Sequence, residues 1–141
     1  MTRAVLDSSV LVSAFLTPRG TSAEVLRAAE RGEFVLCLSH EIICETTRSL
    51  RDKARRIRRY YPDYSDAQID RFAELLSATA ELFDELPVIR VVPLDPKDDV
   101  IVATAIKATA DFLVTGDRHL LSLGSHEGIQ IVAPRQLLDL L

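Results

Sequence analysis

Residues 3–16, RAVLDSSVLVSAFL, change character at one point. Arg3–Leu6 is a short apolar run that stops at Asp7, and from Ser8 to Leu16 apolar residues continue at mixed spacing. Asp7-Ser8-Ser9 brings the side-chain oxygens that cap a helix N-terminus. The stretch therefore predicts a strand, a tight turn and a helix, with a carboxylate at the junction. The same grammar recurs downstream. Pro18-Arg19-Gly20 breaks the first helix, and Thr21–Arg31 predicts a second one, capped by Thr21 or Ser22 and closed by Gly32. Phe34–Leu38 reads as a buried strand. Ser39 then caps a long helix that runs to about Arg59 through Ile42, Ile43, Thr46, Leu50 and Ala54. Tyr60-Tyr61-Pro62 is a loop, and a further helix opens at Ser65 and extends through Phe72 and Leu76 to Phe83.

The second half repeats the alternation. Val88–Val92 is rich in β-branched residues and predicts a strand, followed by a turn at Pro93 and Pro96. Asp98–Ala110 predicts a helix, Phe112–Thr115 a strand, Asp117–Leu123 a short helix, Ile129–Val132 a last strand, and Pro134 the N1 position of a terminal helix. Strands alternating with helices imply right-handed crossovers and a mostly parallel sheet covered on both faces, an α/β fold. The 141 residues form one domain in this reading, 1–141.

Composition bounds the function classes. With 48% apolar and 27% charged residues a packed core is expected. A net charge of −4 argues against coating nucleic acid by bulk charge. No apolar run reaches the ~18 residues of a membrane span, and Asp7 interrupts the first one, so neither membrane insertion nor a signal peptide is expected. Cys37 and Cys44 lack zinc-site spacing and read as buried apolar residues of a reduced, cytoplasmic protein. The charge is unevenly spread, however. Residues 48–59 hold seven Arg or Lys against Asp52, a local balance of +6, which leaves −10 on the other 129 residues. Arginine dominates that segment, and its guanidinium fork matches phosphate oxygens.

Ligands of a parallel α/β sheet bind beyond the carboxyl ends of its strands. Asp7, Asp98, Asp99 and Asp117 all follow predicted strands, and Glu45 lies two turns into the helix after the second strand. Each aspartate also suits a helix N-terminus. Together, several carboxylates at one rim repel one another unless a cation lies between them. Oxygen ligands suit Mg²⁺ or Mn²⁺, and the chemistry that follows is hydrolysis of a phosphodiester by metal-activated water. No GxGxxG, GxxxxGK[ST] or GxSxG is present, and the three histidines show no ligand spacing. A receiver-like phosphotransfer domain would need a second acid near the first strand and a lysine after a late strand; both are missing.

On these residues the chain resembles the PIN-domain ribonucleases, in particular the VapC-like toxin components of toxin–antitoxin pairs. The likeness is carried by AVLDSSVLVSAFL, LSHEIICET, LDPKDDVIVATAIKATADFLVTGDRHLLSL and IQIVAPRQLLDLL, which span essentially the whole chain. It implies a Rossmann-like α/β/α sandwich and metal-binding, catalytic acids at Asp7, Glu45, Asp99 and Asp117. Thr115 matches the family's hydroxyl residue near the fourth acid, and Ser9 stands where the family commonly has asparagine. The third acid lies among Asp95, Asp98 and Asp99; the aliphatic–Ala pair three and four places on selects Asp99, with Asp98 as helper. The resemblance further implies an RNA substrate, a homodimer and a cognate antitoxin. Arg48, Arg51 and Arg55 are its candidate substrate-binding residues. The alternative is a PIN-like module that binds RNA or protein with little turnover.

Overall fold

The computed structural model describes residues 1–57, 64–89 and 96–141. Among these the elements run β1 (Arg3–Leu6), α1 (Ser8–Leu16), α2 (Thr21–Glu30), β2 (Val35–Ser39), α3 (His40–Ile57), α4 (Asp66–Thr79), β3 (Glu81–Phe83), α5 (Pro96–Lys107), β4 (Phe112–Val114), α6 (Arg118–Leu123), β5 (Ser125–His126), β6 (Ile129–Val132) and α7 (Pro134–Leu140). The strands form one sheet in the order β3-β2-β1-β4-β6-β5. Every pairing is parallel except β5 with β6.

Burial along β1 shows why the sheet is a middle layer. Successive strand residues point to opposite faces, yet Ala4, Val5 and Leu6 are each 0% exposed. Both faces are therefore covered, and β2 repeats the pattern at Leu36, Cys37 and Leu38. Helix α5 packs across β1, β2 and β4, while α2 packs on α1 and α7, and α3 on α1 and α4. The chain is thus the expected α/β fold. Because β1, β2, β3, β4 and β6 run the same way, their carboxyl ends share one rim, and the N-termini of α1 and α6 open there.

Several elements differ from expectation. The helix predicted to reach Phe83 stops at Thr79, and Glu81–Phe83 turns into edge strand β3 beside β2. A reason is visible in Arg3, whose guanidinium crosses to both Glu81 carboxylate oxygens (3.1 and 3.3 Å) and lies 5.9 Å from the centroid of the Phe83 ring. The strand predicted over Val88–Val92 is not formed at Val88 and Ile89, where Val88 is 96% exposed; its remainder lies outside the described residues, as do Asp95 and the Arg58–Arg59 end of the basic segment. Helix α2 begins after Gly20, whose backbone serves as N-cap without a side-chain bond, rather than at a Thr21 or Ser22 cap. Helix α5 starts at Pro96, so Asp98 and Asp99 sit inside its first turn and not at a cap. Strand β5 was not expected; it forms through a tight turn with positive φ at Glu127 and Gly128, the backbone that two-residue hairpins require. Cys44 is exposed and only Cys37 is buried. Among the described residues no helix is long and apolar enough to cross a membrane.

The sheet's central strands carry the stability. Leu113 in β4 is 1% exposed, and Leu113→Ala is expected to lower unfolding free energy by about 3 kcal/mol. Urea titration should show a lower midpoint with the slope unchanged.

Candidate functional site

Asp7 is the first residue after β1 and is 3% exposed. Its Oδ1 accepts from the Val10 backbone N–H at 2.9 Å, capping α1, and from the Ser9 hydroxyl at 2.6 Å. Its Oδ2 accepts from the Thr115 hydroxyl, which is wholly buried at the end of β4. That hydroxyl in turn accepts the Asp117 backbone N–H at 3.0 Å. Asp117 Oδ1 accepts the His119 N–H at 2.7 Å and caps α6. A single relay thus ties the ends of β1 and β4 together and aims two carboxylates at one rim. Burial is the largest influence on Asp7 and pushes its pKa above the ordinary carboxylate value; its hydrogen bonds with Ser9, Thr115 and Val10 work against that rise, and the neighbouring Asp117 charge adds to it.

These residues line an open cleft of about 500 Å³. Its wall includes Asp7, Asp98 and Asp117, the hydroxyls of Ser9, Ser13 and Ser22, and Ile101. Asp98 is 7% exposed, whereas Asp99 is half-buried and is not among the lining residues. Starting α5 at Pro96 sets this outcome: Asp98 and Ile101, three apart, share a helix face. Glu45 lines an adjoining cleft of about 360 Å³ with His40, Cys44 and Arg48, and the two clefts share Ser8 and Ile101. Arg48 pairs with Glu45 at 3.3 Å.

The basic segment divides by helix face. Arg51 turns to α4 and pairs with Asp70 at 2.7 Å. Arg55 is exposed and lines none of the clefts described here. Lys53, which sequence reasoning passed over, lines a third cleft of about 440 Å³ that shares Ser8, Ser9 and Ser13 with the acidic one. The signal was available: Glu45, Ser49 and Lys53 are spaced by four and fall on one helical stripe.

The acidic cleft offers carboxylate and hydroxyl oxygens and no thiol or imidazole. Such a donor set fits a hard divalent cation, and the repulsion that Asp117 exerts on Asp7 is the kind a cation relieves. Among the described residues, no group of three or more Asp, Glu, His or Cys side chains is arranged to hold an ion unaided.

A family model described as "PIN domain" matches residues 3–119. Among solved structures the chain is similar to PAE2754 from Pyrobaculum aerophilum, with 23% identity and a TM-score of 0.67. That likeness covers 98% of this chain and 88% of the other. No curated protein matches the sequence.

The raised Asp7 pKa makes a prediction about stability. A carboxyl whose folded pKa lies above its unfolded value favours the fold at low pH and loses that contribution as pH rises through the folded value. At neutral pH, ionised Asp7 is therefore a net burden on the metal-free protein. Asp7→Asn should raise the melting temperature in EDTA at pH 7, and the gain should shrink as pH falls through the raised folded value and vanish below the ordinary carboxylate value of about 4. Melting curves of both proteins across that range check the sign.

Proposed function

The chain belongs to the PIN domain family, a family of nuclease-type domains, and from that premise we propose that it is a metal-dependent endoribonuclease. One observation carries the proposal: Asp7, Asp98 and Asp117 line a single cleft at the carboxyl rim of a parallel sheet, and Thr115 links two of them. Asp7, Asp98 and Asp117 would hold Mg²⁺ or Mn²⁺, and Glu45 lines the adjoining cleft. When bound, the ion supplies positive charge to phosphoryl oxygens and acidifies water. Because among the described residues no three acids close on one point unaided, water and substrate oxygens would complete its shell, as Mg²⁺ commonly requires. Sequence register favours Asp99 as the third acid; the placement of Asp98 in the cleft favours its neighbour instead.

The protein's own groups then have separate tasks. Thr115 and Ser9 hold the Asp7 carboxylate in one orientation, so no reorganisation is needed during reaction. Asp117 spends Oδ1 on α6 and keeps Oδ2 for the ion, so the proton of the attacking water would pass to solvent. The water oxygen bonds to phosphorus, the P–O3′ bond breaks, the leaving O3′ takes up a proton from solvent, and the products are a 5′-phosphate and a 3′-hydroxyl. Arg48 lies beside Glu45 and would meet the backbone of the RNA. The likeness of the sequence motifs to VapC-like toxins supports a role as the toxin of a type II pair, with a homodimeric state and an antitoxin partner. The second reading, a binding module of low turnover, is favoured by the absence of a three-acid ion cage among the described residues.

A defined single-stranded RNA incubated with the protein should be cut in Mg²⁺ or Mn²⁺ and remain intact in EDTA. Asp7→Asn and Asp98→Asn should each slow cleavage more than about 100-fold, the effect of losing several kcal/mol of charge stabilisation. Asp99→Asn should stay within about threefold. RNA that is bound yet uncut in every metal would overturn the nuclease and leave the binding module.

A further inference from the structure

The third cleft contains one cation among hydroxyls. Lys53 lines it with Ser13, Thr17 and Ser49, and no carboxylate among the described residues pairs with its ammonium. The neighbouring Arg51, by contrast, is neutralised by Asp70. The cleft is continuous with the acidic one through Ser8, Ser9 and Ser13 along α1. On the other side of Ser8, Arg48 lines the Glu45 cleft. The acidic centre is thus flanked by two arms, each with one basic side chain from α3. An acidic ligand segment would be repelled by the centre and held by the arms; a phosphodiester chain can bring its reacting phosphate to the centre only with a cation there and can place adjacent phosphates in the arms.

We propose that the Lys53 arm is a phosphate subsite that holds the nucleic-acid backbone next to the scissile phosphate, and that Arg51, turned to Asp70, does not touch substrate. This rests on the nuclease reading and sharpens it to a single-stranded path over α1. The lysine supplies the charge, and the hydroxyls of Ser13, Thr17 and Ser49 supply donors to the non-bridging oxygens. The contact positions the chain and carries no base specificity.

Binding of a 5′-labelled 15-nucleotide oligouridylate, measured at a fixed Ca²⁺ concentration in place of Mg²⁺ and between about 50 mM and 1 M salt, tests the subsite. Losing one phosphate contact lowers the single-strand salt slope by about 0.7, which corresponds to roughly eightfold weaker binding at 50 mM relative to 1 M. Lys53→Gln should show that change, Lys53→Arg should restore the slope, and Arg51→Gln should leave it alone. Equal slope losses in Lys53→Gln and Arg51→Gln would replace the subsite with diffuse attraction, and an unchanged slope in Lys53→Gln would remove it. Wild-type protein that binds the oligonucleotide without any salt dependence would sink the nuclease reading itself, a result distinct from either. Tighter capture of an acidic peptide than of the RNA, lost in Lys53→Gln, would reassign the arm to a protein partner and overturn the proposal.

Discussion

A carboxylate buried at the end of the central strand is the constraint from which the rest of this structure follows. Asp7 is almost wholly buried, so protein donors serve both its oxygens, and two of those donors have a second task. The Val10 N–H begins α1, and the Thr115 hydroxyl fastens β4 to β1 while receiving the amide of Asp117. Removing any of them leaves a buried charge short of partners, which is costlier than the bond itself. Capping and site formation are therefore not competing explanations for these aspartates. The same bonds that start α1 and α6 fix where the acids point.

Placing the acids at the rim depends in turn on the parallel sheet. Parallel pairing of five strands puts all their carboxyl ends on one side, and helices on both faces force nearly continuous apolar strands. At the opposite end of β1, Arg3 spans Glu81, the Ala108 carbonyl and Asp111. One rim is closed by a cation among acids and carbonyls; the other is opened by acids among hydroxyls.

Much of this was legible in residues 3–16 and 112–117, because the strand, the punctuating aspartate and the helix follow directly in sequence and obey local rules. The alternation also disclosed the parallel sheet. Edge strand β3 was not legible, since Leu75, Leu76 and Phe83 continue a helical spacing, and what ends it is a long-range contact from Arg3. Conversely, the β-branched Val88–Ile89 pair reads as strand, although Val88 finds no surface to cover it. At the site, Asp7, Asp98, Asp99, Thr115 and Asp117 could be named as candidates, but which of Asp98 and Asp99 lines the cleft needed the packing of α5: a shift of one residue turns a side chain by about 100° around the axis. In α3 the charge count was informative and its direction was not. Only the packing of α3 against α4 separates Arg51 from Lys53.

Ser9 occupies the position where the PIN-like motif usually carries asparagine, and its hydroxyl has a consequence for how this pocket holds hydrogen. Were Asp7 to gain a proton, the Val10 N–H could not turn away, and the Thr115 hydroxyl could reverse only by stranding its hydrogen in the interior. Ser9 is exposed, and its hydroxyl can exchange donor for acceptor by rotation, whereas the backbone N–H of Val10 can only donate. Of the three donors it alone accommodates either protonation state without stranding a buried group, so a proton on Asp7 would invert the pocket's hydrogen-bond polarity at a single bond.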